Sequence, residues 1–372
     1  MTIPVASVPL GDEEIEAAVA VLRSGELRAG ARCAEFEQRF AERVGTRYAV
    51  AVSSGTAALH VAAMAVLQAG DEVLVPAFTF IATAACVALC NARPVLVDVD
   101  PDTLCIDVAA ARRKITPRTR AMIPVHLFGH ACDVDGLREL ARRHDVRLIW
   151  DAAQAFGTEY HGCDIGCLDD LVCFSFYPTK NITTGEGGMI TTNDRALAER
   201  CRLLRSHGQA QKYYHTLIGC NYRMTDVAAA IGLVQLERAD ALLAARRANA
   251  AVLDQGLSGL PGIRLPTVQA GTRHSYHQYT VQVDAGTLDM SRDELAARLA
   301  HAGVETAVHY PRPLQEQPAM APFGPFSDLD VSGRAAETVL SLPVHPGLSA
   351  GDVEQVVAAV RTAVSTTTSG VR

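Results

Sequence analysis

Short apolar runs alternate with stretches of helical periodicity through the first half of the chain. Apolar residues recur at helical spacing near residues 106–114 and 133–144, between two pairs of these runs. Apolar strands that alternate with helices form a parallel sheet whose two faces are both covered. The runs that predict strands span residues 48–52, 72–76, 94–98, 121–125, 146–150, 171–174 and, as a hairpin-like strand, 189–192.

Two amphipathic helices are predicted ahead of the first strand. In the first helix, Ile15, Val19 and Leu22 recur at helical spacing, and Gly25 ends it. The second helix covers residues 31–44. Both belong to the larger of two expected units.

The pattern changes in the last third of the chain, where strands and helices no longer alternate regularly. We expect a large domain over residues 1–245 and a smaller α+β domain over residues 246–372. A long helix, predicted from residue 225 to about residue 253, bridges them. The elements predicted beyond it are a strand at 279–283 and helices at 292–301 and 352–364.

A turn of small residues follows the first predicted strand and opens directly into an alanine-rich helix. Such a helix start is an anion site, because free backbone N–H groups and the positive end of the helix dipole point the same way. Gly55 lets the backbone approach a phosphate, and the hydroxyls of Ser54 and Thr56 can add hydrogen bonds. A plain helix cap is the alternative interpretation. The turn lacks the glycine fingerprint of dinucleotide folds, which disfavours a dinucleotide oxidoreductase.

Lys180 ends the strand-and-turn segment Cys173–Thr179 and precedes a polar, glycine-rich loop. Ligands of parallel sheets bind at the carboxyl ends of the strands, where this lysine is placed. Desolvation lowers the pKa of an amine, and a neutral lysine can form a Schiff base with a carbonyl compound. The alternative is a solvated surface charge, which is the usual state of a lysine. We take as a hypothesis that Lys180 carries pyridoxal 5′-phosphate (PLP).

Asp151 follows another apolar strand and supplies the second half of that hypothesis. PLP is an electron sink while its pyridine nitrogen is protonated, and a neighbouring carboxylate keeps it so. At 4 Å and an effective dielectric constant near 20, such a pair interacts by ~4 kcal/mol, or about three pKa units. Gln154, three residues on, could reach the ring hydroxyl. A local turn or helix cap is the alternative for Asp151.

Composition narrows the classes of function. The 372 residues carry 34 Lys and Arg against 41 Asp and Glu, a net charge of −7 that gives no footprint for nucleic acid. No run of ~18 uncharged apolar residues suggests a membrane span. The first residues do not resemble a signal peptide, so a cytoplasmic location is expected. The pairs Cys86/Cys90 and Cys163/Cys167 lack the second half of a zinc pattern, and no metal site is expected.

Seven motifs together give the chain its resemblance to a known family. The sequence resembles the DegT-type sugar aminotransferases, PLP enzymes of fold type I, over nearly its whole length. The resemblance implies a large domain with a mostly parallel, seven-stranded sheet and a smaller α+β domain. The motifs are Ser53–Ala58, Pro76–Phe80, Asp151–Ala155, Ser175–Lys180, Gly185–Gly188, Asn221–Met224 and His309–Pro311.

The resemblance also implies roles for individual residues. Lys180 would hold the cofactor, and Asp151 would pair with its pyridine nitrogen. Further cofactor contacts would come from Gln154 at the ring hydroxyl, Phe80 on the ring face, Gly55, Thr56 and Ser175 at the phosphate, and Asn221 at the phosphate of a neighbouring subunit. Substrate-side or interface roles would fall to His207, Lys212, Arg223 and His309. For Phe80, a place in the apolar core is the alternative.

The implied reaction transfers an amino group from glutamate, or glutamine, to a nucleotide-linked keto-sugar, for a secondary metabolite such as an antibiotic or for a surface glycan. The implied assembly is a homodimer with shared active sites. Related branches act on cyclic keto-polyols or in aminobenzoate starter pathways, and the motifs do not separate these branches. Sugar dehydratases of the family carry histidine in place of the lysine, so Lys180 favours transamination. A non-catalytic regulator on the same scaffold is a further alternative.

Overall fold

The computed structural model describes residues 2–368 and is built on fifteen strands. Seven of them form one central sheet, and the other eight form three small sheets. The strands, in chain order, are β1 (Tyr48–Val52), β2 (Glu72–Pro76), β3 (Arg93–Val97), β4 (Thr119–Met122), β5 (Arg147–Asp151), β6 (Glu159–Tyr160), β7 (Cys163–Asp164), β8 (Leu171–Ser175), β9 (Gly188–Thr192), β10 (Gln209–Gln211), β11 (Tyr214–His215), β12 (Ile263–Arg264), β13 (Thr272–Arg273), β14 (Tyr279–Val283) and β15 (Val339–Leu342).

The helices account for most of the remaining chain. Short 3₁₀ turns at Leu127–Gly129, Ile165–Cys167, Leu314–Glu316 and Pro318–Phe323 supplement them. The helices are α1 (Asp12–Ser24), α2 (Ala31–Val44), α3 (Gly55–Val66), α4 (Ala82–Leu89), α5 (Val108–Lys114), α6 (Val134–His144), α7 (Arg195–Leu204), α8 (Asp226–Leu257), α9 (Ala285–Leu288), α10 (Arg292–His301), α11 (Asp330–Thr338) and α12 (Ala350–Thr368).

The central sheet has the order β1-β9-β8-β5-β4-β2-β3. Strand β9 pairs antiparallel with both of its neighbours, and the other pairs are parallel. Strands β1 and β8 therefore run in the same direction as β5, and their carboxyl ends meet at one edge. The expected α/β architecture, with a mostly parallel seven-stranded sheet covered by helices, is confirmed.

Alternation along the strands explains why both faces of this sheet are covered. In β1, Ala49 and Ala51 contribute to one apolar cluster, while Val50 and Val52 contribute to the other. Successive side chains of a strand point to opposite faces, so each face needs its own helical layer. One cluster includes residues of α2, α5, α6 and α8, and the other includes residues of α3, α4 and α7.

Helix α8 links the central sheet to a third apolar cluster. Leu236 and Leu242 pack in the first cluster, whereas Leu253 and Leu257 pack in the third with β14, β15, α10 and α12. The predicted domain boundary between residues 245 and 246 falls inside this continuous helix. Ile3 also packs in the third cluster. The two-domain division stays a prediction, and residues 369–372 of the second unit lie outside the described residues.

Helix α1 leaves two of the three residues of its predicted apolar row exposed, and Val19 is half-buried. Ile15 and Leu22 are 58% and 56% exposed, whereas Glu14 is buried and accepts hydrogen bonds from Gln235 and Arg238. The helical spacing of this row is confirmed, and Gly25 ends the helix in the left-handed conformation. The charged pair Glu14–Arg238 holds this helix against α8, and the large apolar side chain that the helix buries is Val21, which lies outside the predicted row.

Two kinds of site are absent from residues 2–368. No helix in that range is both long and apolar enough to cross a bilayer. No group of three or more His, Cys, Asp or Glu side chains in the same range could hold a metal ion.

Candidate active site

A cavity of about 480 Å³ lies where the carboxyl ends of β1, β5 and β8 meet. Residues from all three strand ends line it, among them Gly55, Asp151 and Lys180. The strand register explains the meeting. Asp151 pairs with Cys173 on β8, and Val52 on β1 and Ser175 on β8 both pair with Gly188. The three segments that the sequence singled out therefore share one wall.

Lys180 projects into this cavity from the turn after β8. Its backbone N–H donates to the carbonyl of Tyr177, which closes the turn. The side chain touches solvent in the cavity but is otherwise surrounded by protein atoms. Burial lowers the pKa of the Lys180 amine to about 8, and the nearby Asp151 carboxylate opposes that shift. With that pKa, about a tenth of the amine is neutral at pH 7.

Asp151 is buried at the end of β5 with two hydrogen-bond donors. Its Oδ2 accepts from the Thr83 hydroxyl at 2.9 Å, and its Oδ1 accepts from the Ala153 amide at 3.1 Å. Burial raises the pKa of this carboxyl, and the donors and the Lys180 charge offset part of the rise. The hydrogen bond from Ala153 forms the local turn that the sequence allowed as the alternative role of Asp151. The hydrogen bond from Thr83 and the burial of Asp151 in the cavity wall are not needed for such a turn.

The start of α3, where the sequence predicts an anion site, forms one corner of the cavity. Ser54 is the N-cap, and its Oγ accepts from the Ala57 amide at 3.1 Å. The first amides of a helix have no intrahelical partner, so those of Gly55 and Thr56 are available to a ligand. A Cβ at position 55 would lie 2.6 Å from the Ser175 Cβ, so only glycine lets the two segments come this close.

Gln154 and Phe80 both line the cavity beside Asp151. Gln154 Oε1 accepts from the Phe128 amide at 2.7 Å, and its Nε2 donates to the Tyr310 hydroxyl at 2.9 Å. One N–H of the amide is left for a ligand. Phe80 is 52% exposed and its ring is tilted against Tyr310, whereas Phe78 is fully buried. The core interpretation of Phe80 is therefore wrong.

The residues expected on the substrate side, and Asn221, which is expected at the phosphate of a neighbouring subunit, do not all lie in the cavity. His309 lines the cavity, where burial and the Lys180 charge lower its pKa to about 4. His207, Lys212 and Asn221 are exposed. Arg223 is half-buried, and its backbone forms an antiparallel β-bridge with Val52. None of these four belongs to the cavity wall formed by the described residues.

Several cavity residues carried no assignment from the sequence. Tyr177, Glu186 and Tyr310 lie inside or beside motifs that were recognised, so the motifs contained the signal for them. Thr83, His277 and Gln278 lie in segments without a motif or a strand end. The cavity residues that sequence reasoning missed include Thr83, Tyr177, Glu186, His277, Gln278 and Tyr310.

The side chains present fit PLP part by part. An amine of lowered pKa, Lys180, suits an aldehyde carbon. A buried carboxylate, Asp151, lacks a full counter-charge and suits a protonated ring nitrogen. The first turn of α3, closed by the Gly55–Ser175 contact, suits a phosphate.

Comparisons with known proteins point in the same direction. A model of the DegT/DnrJ/EryC1/StrS aminotransferase family matches residues 9–361. GDP-perosamine synthase of Caulobacter vibrioides is 44% identical over 88% of this chain and 88% of its own length. UDP-2-acetamido-2-deoxy-3-oxo-D-glucuronate aminotransferase of Pseudomonas aeruginosa is 41% identical over 91% of this chain and 93% of its own. The structure of S. venezuelae DesV in complex with a ketimine intermediate superposes with a TM-score of 0.91, at 40% identity over 94% of each chain.

Proposed function

Because the chain belongs to the DegT/DnrJ/EryC1/StrS aminotransferase family, we propose that it places an amino group on a nucleotide-linked keto-sugar. It is a PLP-dependent sugar aminotransferase. The observation that carries the proposal is the meeting of Lys180, Asp151 and the start of α3 in one cavity. In the proposed reaction the amino donor is glutamate or glutamine, and the aminated carbon is C3 or C4 of the sugar. The product serves a secondary metabolite or a surface glycan, and the proposed location is cytoplasmic.

Lys180 performs the proton transfers in this reaction. When bound, PLP supplies the electron sink that makes the donor α-proton acidic. The Lys180 Nζ removes that proton and later returns one, acting as base and then as acid. A pKa of about 8 keeps both protonation states of the amine accessible near neutral pH. Reversal of the same steps on the keto-sugar delivers the amine.

Asp151 holds the electron sink in its protonated form. Its carboxylate can only accept hydrogen bonds, and Thr83 and Ala153 fix the orientation of both oxygens. Burial raises its pKa in the protein alone, and a cation beside it would oppose that rise. At the start of α3, the backbone amides of Gly55 and Thr56 would bind the phosphate of PLP.

We further propose that two copies of the chain share each active site. Lys180 is the only cationic side chain of the described cavity wall, which also carries Asp151 and Glu186. The phosphate, the donor carboxylates and the nucleotide are all anionic, so additional cations are needed. Lys212 and Arg223 lie outside this cavity in their own chain and are available to a second copy. The exposed apolar row on α1 and the exposed Tyr213 and Ile218 also suit a protein interface.

A homodimer with shared sites predicts complementation between two inactive variants. Lys180→Ala removes the amine in one copy, and Asn221→Ala alters a residue that we assign to the partner's site. Each variant alone should lose activity, and mixed variants should recover about a quarter of it, as statistical exchange of copies in a symmetric dimer requires. A single 39.6 kDa species in sedimentation, with no recovery on mixing, would contradict the shared site.

Absorbance of the bound cofactor tests the reaction itself. Purified protein loaded with PLP is mixed with glutamate or glutamine, then with keto-sugars linked to GDP, UDP or dTDP. We expect the donor to shift the spectrum to the pyridoxamine phosphate form and a keto-sugar nucleotide to restore it. Lys180→Ala should lose this exchange by about 10³-fold or more, because no other amine from residues 2–368 lines the cavity.

Lys114→Ala is the matched control, since this lysine lies outside the cavity and donates hydrogen bonds to Ser327 and Asp328. It should leave the spectral exchange intact. Turnover of inosose, with none of the sugar nucleotides accepted, would instead identify a cyclic keto-polyol aminotransferase. No spectral change with either donor would refute transamination.

A further inference from the structure

Two glutamines contact consecutive side chains at the cavity. Gln154 Nε2 donates to the Tyr310 hydroxyl at 2.9 Å. Gln278 Nε2 lies 2.9 Å from Nδ1 of His309. Gln154 belongs to the cofactor contacts described above, whereas Gln278 lies just before β14 and has no role in the proposed reaction.

The backbone of Phe128 ties the two glutamines together. Its N–H donates to Gln154 Oε1 at 2.7 Å, and its carbonyl accepts the backbone N–H of Gln278 at 3.2 Å. Phe128 is buried and has a φ of 58°, a left-handed conformation within its 3₁₀ turn. This single residue therefore sets the positions of the amides that meet His309 and Tyr310.

The surroundings of His309 fix its charge. Burial and the Lys180 ammonium lower its pKa to about 4, so the ring is neutral at physiological pH. His277, the other histidine of the cavity wall, has a pKa lowered by its own burial and is neutral as well. A neutral imidazole carries one proton, on either Nδ1 or Nε2.

The partners of Nδ1 decide which nitrogen holds that proton. An amide nitrogen is a donor, so Gln278 Nε2 requires an unprotonated Nδ1. Ser341 Oγ, 3.4 Å from Nδ1, is also 2.9 Å from Thr280 Oγ1 and can donate as well. In the present orientation of the Gln278 amide, its Oε1 is buried and has no partner among the described residues. Reversing the amide would exchange the oxygen and the nitrogen, and would leave the N–H groups in that unpaired position instead. Buried unpaired N–H groups are rarer than unpaired oxygens.

We propose that Gln278 is a positioning residue that holds His309 as the tautomer protonated on Nε2, so that His309 donates a hydrogen bond to a sugar hydroxyl. This inference rests on the proposed function. Nε2 of His309 has no hydrogen-bond partner within residues 2–368 and belongs to a residue of the cavity wall. A neutral N–H donor suits a hydroxyl oxygen, whereas the carboxylates of the amino donor are best matched by a cation, which a neutral ring does not supply.

Nitrogen-15 NMR of histidine-labelled protein tests the tautomer without any turnover. His309→Gln identifies the His309 signals by their loss. In the PLP-loaded wild type we expect Nδ1 unprotonated and Nε2 protonated. Gln278→Glu should reverse this, because a carboxylate only accepts hydrogen bonds, and Gln278→Met should leave a mixture of tautomers. A wild-type ring protonated on Nδ1, or a Gln278→Glu ring unchanged from wild type, overturns the proposal.

Half-reaction kinetics separate positioning from general damage. With the keto-sugar nucleotide that the wild type accepts, Gln278→Met should bind about tenfold more weakly, the size expected for one misdirected neutral hydrogen bond. Its half-reaction with the amino donor should change by less than about twofold. Gln282→Met, on β14 and bonded to Pro101, is the matched control and should change neither. Equal losses in both half-reactions would overturn the assignment to the sugar.

The two readouts also distinguish this inference from the proposed function. If no keto-sugar nucleotide is accepted but the NMR tautomers behave as expected, the proposed reaction fails and the positioning by Gln278 stands. If a keto-sugar is turned over while the tautomer is the opposite one, the positioning fails and the reaction stands.

Discussion

The cavity has two walls that differ in origin and in charge. The strand wall, formed by Gly55, Thr56, Asp151, Ser175 and Lys180, comes from the carboxyl ends of β1, β5 and β8. The loop wall is formed by the side chains His277, Gln278, His309 and Tyr310. The strand wall holds a carboxylate and an amine, and the loop wall holds two histidines kept neutral by burial.

This difference in charge suggests that the strand wall performs the reaction and that the loop wall selects the substrate. In the proposed reaction Lys180 moves the protons and Asp151 holds the charge of the electron sink, and burial raises the pKa of Asp151 and lowers that of Lys180 to about 8. The loop wall has directional donors and acceptors but no charge to contribute. Such groups discriminate between hydroxyl patterns, since a misplaced hydroxyl leaves a polar group unpaired. Substitutions on the two walls should therefore differ in size and kind.

The largest effect is expected on the strand wall. Asp151→Asn keeps the shape but removes the charge, and we expect both half-reactions to slow by about 10²- to 10³-fold. His309→Gln on the loop wall should cost about tenfold, in the sugar half-reaction alone. Stopped-flow absorbance of the two half-reactions measures both variants.

The Asp151 variant also makes a prediction about pH. The Asp151 carboxylate raises the pKa of Lys180, so its removal lowers that pKa below the wild-type value of about 8. The rate at which protein without cofactor captures PLP should rise with pH in both proteins, because the neutral amine reacts. The midpoint should lie at lower pH in Asp151→Asn. A midpoint that moves to higher pH would contradict the electrostatic coupling of the two residues.

A smaller effect is expected at the phosphate end of the strand wall. Gly55→Ala places a Cβ 2.6 Å from the Ser175 Cβ, which must push the start of α3 away from β8. We expect PLP to bind about tenfold more weakly, as for other overpacked contacts. Equilibrium dialysis of the cofactor measures this loss.

Ser175→Gly supplies the matched control for Gly55→Ala. In a Ser175→Gly background, which lacks the Cβ that the new methyl group would meet, Gly55→Ala should weaken PLP binding less than it does in the wild type. An equal loss in both backgrounds would show that the close approach of the two segments does not shape the proposed phosphate site.

The strand wall could be predicted from the sequence, and the loop wall largely could not. Asp151 and Lys180 each follow an apolar run, and parallel strands bring their carboxyl ends together whatever the loops do. His277 and Gln278 follow an irregular segment between β13 and β14, with no period or turn signature. Their place depends on the contact of Gln278 with Phe128, a hundred and fifty residues earlier in the chain.

Helix α1 gives a second example of this limit. The spacing of Ile15 and Leu22 identified an amphipathic helix correctly, but such spacing carries no information about which face packs inward. The buried Glu14 and its contacts with Gln235 and Arg238 decided the orientation. Those partners lie on α8, more than two hundred residues away in sequence.

The amino-acid sequence by itself determined the alternation of strands and helices, the parallel sheet, and the place of the amine, the carboxylate and the predicted anion site at its edge. Each of these follows from short-range periodicity and from the common direction of parallel strands. The tertiary structure decided the protonation states of Lys180 and His309, the tautomer that we assign to His309, and the outward face of α1. These depend on burial and on partners distant in sequence, because desolvation and hydrogen bonding act between neighbours in space.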